Sequence, residues 1–129
     1  GRRGFERIDA ETMAHLPNLE TLWLNDNKLA KLKGLEHNWR LKHLYMHNNC
    51  ISTVCSASSS LHQLRQLETL QLANNQLQDL KGTLEVLSKL PFLKKLQLHS
   101  NPLASESMYR EAVIFHIPTL TQLDSALIT

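Results

Sequence analysis

One nine-residue pattern recurs along this chain at a nearly fixed interval. It carries leucine at positions 1 and 4, leucine or methionine at position 6, and asparagine at position 9. Its four full copies, spaced 22, 26 and 26 residues apart, begin at Leu19, Leu41, Leu67 and Leu93. A partial fifth copy begins at Leu120, includes Leu123 and ends in Asp124. Such a period predicts an array of similar stacked units, because each unit can bury its apolar side chains only against the next.

Each copy of the pattern predicts a short β-strand. Positions 4 and 6 alternate as in a strand, so their side chains point one way and those of positions 3, 5 and 7 point the other. Parallel strands stacked about 4.8 Å apart would align the leucines into a core and the asparagines into a ladder that satisfies backbone groups at the turns. The convex side of this core is predicted to be closed by Leu29, Leu32, Ile51, Val54, Leu77, Leu80 and Leu103.

The period and the pattern together resemble those of leucine-rich repeat proteins. We therefore predict an α/β fold, a leucine-rich repeat solenoid. Its parts are a curved parallel β-sheet on the concave face, turns and short helices on the convex face, and a C-terminal helical cap.

Residues 1–129 are predicted to form a single domain. The repeats are assigned to residues 19–40, 41–66, 67–92 and 93–119, with the cap over residues 105–129. Residues 1–18 align with the latter part of a preceding repeat, since Phe5 and Ile8 stand where later repeats have apolar residues. Arg3 then takes the place of the asparagine. Two interpretations stay open: the sequence begins inside a longer array, or Gly1 to Gly4 form an unusual cap.

The segments between the copies predict the convex side. The first repeat has only 22 residues, which favours a tight turn or a 3₁₀ segment over a full helix. In that repeat Asn38 stands where an apolar residue is expected, and the Trp39 indole is predicted to fold inward in its place. Ser60 to Gln63 has the form of a helix capping box. Thr83 is predicted to be the N-cap of a helix whose apolar stripe is Leu84, Leu87 and Leu90.

A terminal helix is predicted over residues 105–117, where side chains recur at helical spacing and Pro118 ends the run. The residues of this stripe are Tyr109, Ala112, Val113, His116 and Ile117. An open array would leave its last apolar layer bare, so this helix is expected to cover it.

A more specific resemblance is carried by the C-terminal segments NPL and YREAVIFHIPTLTQLD. They resemble the cap of the intracellular leucine-rich repeat proteins related to the protein phosphatase 1 regulators. That class includes the splicing factor U2A-prime, the outer-arm dynein leucine-rich repeat light chain and a set of ciliary proteins. The segments LWLNDNKL and LYMHNN look most like the ciliary members.

The resemblance implies a function without catalysis, since enzymatic activity is not a property of this class. It implies a scaffold or adaptor that binds a protein segment on its concave face, within an axoneme or another large cytoskeletal assembly. Two alternatives stay open: a regulatory subunit of a protein phosphatase, and a ribonucleoprotein assembly factor.

The charge balance, the apolar runs and the cysteines of the sequence limit the classes of partner and the cellular location that we expect. The 14 Lys and Arg residues against 12 Asp and Glu give a net charge of +2, too balanced to require nucleic acid or an anionic membrane. No apolar run approaches the roughly 18 residues of a membrane span, and no signal peptide opens the chain. Cys50 and Cys55 lack CxxC spacing, so reduced thiols are expected. We expect an intracellular, cytoplasmic protein, in the cilium or axoneme, with the nucleus as the alternative, and protein partners without direct nucleic-acid contact.

The solvent-facing positions of the strands predict the binding surface. Trp23 and Tyr45 occupy position 5 of adjacent strands, and Trp and Tyr are enriched where protein interfaces concentrate their binding energy. The alternative is that these rings only suit strands and cover the sheet. The predicted partner-binding residues on the concave face are Trp23, Tyr45, His43, Asn25, Asp26, His47, Gln71, Gln97 and His99. The other members of columns 3, 7 and 8 are Thr21, Thr69, Lys95, Ala73, Asn48, Asn74 and Ser100.

No catalytic, metal or cofactor site is predicted, and no small-molecule substrate. His43 and His47 share a face, but four strand residues separate them by about 13 Å, too far to bind one metal ion. His99 lies two strands from His47, about 10 Å away, without an obvious third ligand. The sequence has no GxSxG motif and no phosphate-binding glycine loop.

Overall fold

The computed structural model describes residues 4–128 of the 129-residue chain. Within that range the chain is the predicted solenoid, a stack of repeats with one strand each. Its helices and strands in chain order are α1 (Ala10–Ala14), β1 (Thr21–Trp23), β2 (His43–Tyr45), β3 (Thr69–Gln71), α2 (Leu80–Leu87), β4 (Lys95–Gln97), α3 (Tyr109–His116), β5 (Gln122–Leu123) and β6 (Ala126–Leu127).

All six strands form a single sheet whose order follows the chain. Strands β1 to β5 are parallel, and β6 pairs antiparallel with β5. The leucines at position 4 stand in direct register across the sheet: Leu22, Leu44, Leu70, Leu96 and Leu123. A shift by one residue would turn these side chains to the solvent, so the repeated pattern itself fixes the register.

The core is a column of aliphatic side chains between the sheet and the convex loops. Leu44 and Leu70 are 0% exposed. In the first layer Leu22 is only half-buried, because no strand precedes β1 in the part of the chain that the structure describes. The predicted convex residues are all buried: Leu29, Leu32, Ile51, Val54, Leu77, Leu80 and Leu103.

The position-9 asparagines form the predicted ladder. They are 4–7% exposed, and they are Asn27, Asn49, Asn75 and Asn101. The Oδ1 atom of Asn75 accepts a hydrogen bond of 3.0 Å from the Ile51 N–H of the preceding repeat. Its Nδ2 donates to the carbonyl groups of Met46, Leu72 and Ala73. One side chain therefore satisfies backbone groups of two repeats where the strands turn away.

The main chain before α1 follows the hydrogen-bond pattern of a repeat. The Phe5 N–H donates to Asn27 Oδ1 at 3.1 Å, just as Leu29 and Ile51 donate to the asparagine of the repeat that follows them. Ile8 packs against the core. The assignment of residues 1–18 to a preceding repeat stays a prediction. Arg3 and most of the Gly1 to Gly4 segment lie outside the described residues.

The prediction that Trp39 fills the core is wrong. Trp39 is 50% exposed, and the Arg40 guanidinium lies 4.9 Å from its ring centroid. Asn38 is the buried residue, at 0% exposure, and its Nδ2 donates to the carbonyl groups of Met13 and Leu16 at 2.9 and 3.0 Å. These carbonyls lie at the end of α1, where regular helical bonds stop, so a buried amide fits this position better than an indole.

The predicted capping box at Ser60 is also wrong. The segment after it is a 3₁₀ turn, Leu61–Gln63, and Ser60 makes no side-chain capping bond to it. Its hydroxyl instead donates to Glu36 Oε1 at 2.8 Å and accepts from the Gly34 N–H at 3.1 Å. The Ser60 hydroxyl, together with the Gly34 N–H, lowers the pKa of the Glu36 carboxyl. Ser60 thus joins two repeats on the convex side.

Helix α2 begins before the predicted N-cap. It starts at Leu80, because the Asp79 carboxylate accepts from the Gly82 N–H at 3.0 Å and caps the first turn. Thr83 lies buried inside the helix. All three residues of the predicted apolar stripe are buried, but only Leu84 and Leu87 belong to the helix, which ends before Leu90.

The terminal helix is shorter than the predicted span of residues 105–117. Residues Pro102–Ser105 form a separate 3₁₀ turn, and Met108 has φ of 64°, which an α-helix does not contain. Val113, on the inner side of α3, is fully buried. His116 is exposed and bonds to the Ala112 carbonyl, so it does not belong to the apolar stripe.

The Asp124 side chain, between β5 and β6, takes over one backbone hydrogen bond at this end of the sheet. In the interior of the array a position-6 N–H donates to a carbonyl of the following strand, as from Leu72 to Gln97 at 2.9 Å. The equivalent Leu98 N–H donates instead to Asp124 Oδ1 at 2.7 Å. The other carboxylate oxygen accepts from the Tyr109 hydroxyl at 2.7 Å. Asp124 therefore joins α3 to the residue that follows β4.

Candidate protein-interaction face

The polar face of the sheet brings Trp23 and Tyr45 into a stack. The two residues are direct neighbours in the β1–β2 register. Their ring centroids lie 3.7 Å apart and their planes differ by 9°. Trp23 is 54% exposed, whereas Tyr45 is half-buried. The stack thus presents apolar ring surface to solvent at one end of the concave face.

Beside Tyr45 lies a shallow groove of about 250 Å³. Three predicted site residues line it, namely Tyr45, Gln71 and Gln97, and hydrogen bonds hold both glutamines in place. Gln71 Oε1 accepts from the Ala73 N–H at 2.9 Å, and Gln97 Nε2 donates to Ser125 Oγ at 3.3 Å. The remaining residues that line the groove are Thr69, Leu70, Lys95, Leu96, Gln122 and Ser125. Most residues that line the groove are therefore polar, and hydrogen bonds fix the positions of Gln71 and Gln97.

The three histidines of this face make separate contacts. His43 Nδ1 and Thr69 Oγ1 lie 2.9 Å apart across β2 and β3. His99 bonds to Gln97 Oε1 and to the Ser100 hydroxyl. The Nδ1 atom of His47 is buried and has no hydrogen-bond partner among the described residues. Within residues 4–128 no group of three or more His, Cys, Asp or Glu side chains is arranged to hold a metal ion.

Ala73 does not belong to the solvent-facing column in which it was placed. Its exposure is only 5%. The Gln71 side chain folds over towards it and bonds its N–H. Because alanine is the smallest member of the position-7 column, its neighbours cover it.

The residues at position 8 form a second, outer ladder that the strand pattern does not predict. Asn74 Nδ2 donates to Asn48 Oδ1 at 2.8 Å, and Asn48 Nδ2 donates to Asp26 Oδ1 at 2.7 Å. Asn25 donates to the same carboxylate at 2.6 Å. All position-8 residues, Ser100 included, have φ between 56° and 61°. The recurrence of Asp, Asn and Ser at one position, residues that tolerate this left-handed conformation, was the available signal.

Asn25 and Asp26 therefore stabilise the outer ladder through hydrogen bonds, in addition to lying at the edge of the aromatic stack. Of the predicted site residues, the structure brings together Trp23 with Tyr45, His43 with the groove residue Thr69, and Gln97 with His99. Asn25 and Asp26 form one further pair at the outer ladder.

The cysteines lie away from this face, and both are free. Cys55 Sγ is exposed and lies 3.4 Å from the Ser58 hydroxyl. That hydrogen bond is the main cause that lowers the pKa of the Cys55 thiol to about 7. Cys55 lines a convex cavity beside His62 and Lys89. It belongs to the opposite side of the molecule from the aromatic stack.

Helices in the described part of the chain are all too short or too polar to cross a membrane.

Comparison with known proteins identifies relatives of this chain. A leucine-rich repeat family model matches residues 3–128. Leucine-rich repeat-containing protein 23 of Bos taurus is 36% identical over 103 residues, which cover 80% of this chain and 29% of that protein. The probable U2 small nuclear ribonucleoprotein A' of Drosophila melanogaster is 35% identical over 124 residues, covering 95% of this chain and 45% of that protein. This chain thus spans less than half the length of either curated relative.

A solved structure is similar over almost the whole chain. It is the crystal structure of the Drosophila melanogaster SNF/U2A' complex, in which one chain has a TM-score of 0.85 and 31% sequence identity. The superposition covers 99% of this chain and 71% of that one. Since the family model spans nearly every residue and the strands carry its leucines in register, this chain belongs to the leucine-rich repeat family.

Proposed function

We propose that this chain is a non-enzymatic interaction module that binds a segment of a partner protein on its concave face, within a nuclear ribonucleoprotein assembly. The observation that carries the binding proposal is the Trp23–Tyr45 stack, with Trp23 54% exposed. No cofactor or small-molecule substrate is part of this proposal.

The physical argument concerns what a partner gains at the stack. Exposed aromatic surface is costly in water, and covering it releases free energy in proportion to the apolar area removed. The Trp23 ring is already held against Tyr45, so the Trp23 side chain loses little conformational entropy when a partner packs on it. His43 and the groove glutamines surround the stack with hydrogen-bonding groups that can orient the partner. A rigid apolar centre with a polar rim is the usual anatomy of a protein interface.

The ribonucleoprotein setting rests on the relatives. The similarity to the Drosophila U2 ribonucleoprotein A' covers 95% of the present chain, and the similar solved structure is a complex of SNF with U2A'. The axonemal or cytoplasmic setting expected from the sequence gains no support from these relatives. The ribonucleoprotein alternative, with the nucleus as location, is therefore preferred. As no observation favours a phosphatase partner, that alternative is not pursued.

The test is co-precipitation from whole-cell extract of the source organism. The natural full-length protein is tagged and compared with its Trp23→Ala variant, and the RNA of the U2 ribonucleoprotein is quantified in each precipitate. We expect enrichment with the wild type and its loss with Trp23→Ala. The matched control is Trp39→Ala, another half-exposed tryptophan, on a different edge of the molecule, which should retain the RNA. Wild-type protein that precipitates no ribonucleoprotein component, but an axonemal protein or a phosphatase instead, would refute the setting.

A further inference from the structure

Lys95 is the single residue with a formal charge at pH 7 among those that line the groove beside Tyr45. It lies at position 3 of β4, on the solvent side of the sheet, and is exposed. Within residues 4–128 the one ion pair is Lys42 with Glu20, so Lys95 has no carboxylate partner there. The groove thus presents one unpaired ammonium group among neutral polar side chains.

A partner that lies across the concave face would cover the Lys95 ammonium group. Covering an ammonium group removes its water, and that is unfavourable unless an opposite charge or hydrogen-bond acceptors replace the water. Three side chains of the groove already have hydrogen-bond partners: Thr69 bonds to His43, Gln71 to the Ala73 N–H and Gln97 to Ser125. No other residue that lines the groove carries a charge, so an opposite charge has to come from the partner.

We propose that the partner segment carries an acidic residue that pairs with Lys95, together with an apolar side chain that packs on the Trp23–Tyr45 stack. The inference rests on the proposed function and deepens it, since it specifies the chemistry of the partner. Apolar contact at one end and charge at the other would also fix the direction in which the segment crosses the strands.

The sheet sets the spacing of these two groups. Trp23 is on β1 and Lys95 on β4, three strand steps apart. At about 4.8 Å per step they are separated by about 14 Å across the sheet. This corresponds to roughly ten residues of a helical partner, at about 1.5 Å per residue, or roughly four residues of an extended one.

A protein segment fits these features better than a nucleic acid. A nucleic-acid backbone brings a row of phosphates and is bound by several cations, whereas this groove offers one. The chain as a whole has a net charge of only +2.

The experiment is a selection from a random twenty-residue peptide library displayed on phage, against the chain of residues 1–129. Binders are counter-selected against Trp23→Ala, so that only peptides of the concave face remain. We expect acidic residues to be enriched in these peptides over the unselected library. Representative peptides should bind Lys95→Glu about tenfold more weakly in calorimetry, as expected for a partly desolvated charge pair.

The control is Lys89→Glu, which makes the same charge change at the convex cavity and should leave peptide affinity unchanged. Circular dichroism establishes that both variants are folded. Peptides that lack acidic residues, or that bind Lys95→Glu as tightly as wild type, would overturn the inference and leave the proposed function standing. A library from which wild type selects nothing that Trp23→Ala does not would overturn both. Tight binding of a twenty-nucleotide random RNA that Lys95→Glu abolishes would overturn the inference in favour of nucleic acid.

Discussion

At the scale of single residues, the position-9 asparagines connect each repeat to the one before it. Asn75 joins β3 to the preceding turn through one accepted and three donated hydrogen bonds, and it is 6% exposed. A shorter side chain at this site would leave buried backbone groups without partners, and each such group costs about 1–3 kcal/mol.

We expect Asn75→Ala to lower the free energy of unfolding by about 2–4 kcal/mol, because water cannot easily replace the lost bonds in a buried turn. Urea denaturation followed by circular dichroism measures this. The neighbouring Asn74→Gly is the control, because Asn74 is exposed, has φ of 56° and makes one side-chain bond, to Asn48. It should change stability by less than about 1 kcal/mol. Equal losses in the two variants would mean that the ladder adds no stability of its own.

Residue type and spacing predicted the buried leucines and the asparagine ladder, because both recur at fixed positions. Position 38 shows what spacing alone cannot provide. Its amide is buried because α1 places two carbonyl groups beside it, a contact across 22 to 25 residues of sequence. The indole of Trp39, which the pattern alone directed inward, is then displaced to the surface.

At the scale of elements, the Asp124 carboxylate joins helix α3 of the C-terminal cap to Leu98, directly after β4. Burial, and then the hydrogen bond to Asp124, raise the pKa of Tyr109 well above its ordinary value. The folded state therefore keeps the Tyr109 proton at a pH where the unfolded chain, with a tyrosine pKa of about 10, releases it. The resulting stabilisation is fully present below about pH 10 and is lost as pH rises beyond it.

The corresponding prediction compares wild type with Tyr109→Phe, which does not titrate. Wild type should be more stable at about pH 8, and its advantage should shrink above about pH 10 by up to about 1.4 kcal/mol per pH unit. Urea denaturation of both proteins over this pH range measures the difference in the free energy of unfolding, and the contributions of titratable groups common to both proteins cancel. An advantage that stays constant to about pH 11 would show that Tyr109 ionises alike in the folded and unfolded chain.

Removal of the cap tests its role directly. Deletion from Ser105 onward takes away Val113 and Ile117, which are buried in the same cluster as Leu98 and Leu103. The last apolar layer would then face water, so we expect the truncated chain to aggregate. Analytical ultracentrifugation and thermal denaturation are the measurements. A monomeric truncation that unfolds cooperatively would contradict this role.

The helices themselves were predicted with different success, for a local reason. The apolar stripe of α2 was found, but its start was misplaced, because both Asp79 and Thr83 are acceptable caps and only the chain path selects between them. The terminal helix was predicted too long, because Met108 breaks it with a left-handed conformation that methionine does not signal.

At the scale of the whole molecule, each repeat is stable only through its neighbours. Leu70 lies at 0% exposure in the central strand, in register with Leu44 and Leu96. Leu70→Ala should cost about 2–5 kcal/mol, from lost burial and the cavity left behind. Chemical denaturation measures it. A loss below about 1 kcal/mol would mean that Leu70 does not belong to the core.

The same stacking explains how much of the candidate face followed from the sequence. A pattern of period two assigns each position to a face, and the constant register then places Trp23 beside Tyr45. Side-chain bonds within a face do not follow from periodicity. The outer ladder of Asp26, Asn48 and Asn74 is of this kind, as is the coverage of Ala73 by Gln71.

The central claim, that the concave aromatic stack is the binding site, is tested most directly by two tryptophan variants. Trp23 and Trp39 are 54% and 50% exposed, so loss of either should leave the melting temperature nearly unchanged. Calorimetric titration with the co-precipitated partner should show Trp23→Ala weakened by at least about 2 kcal/mol, close to thirtyfold, and Trp39→Ala binding as wild type. The claim is contradicted if Trp23→Ala binds normally while Trp39→Ala loses the partner.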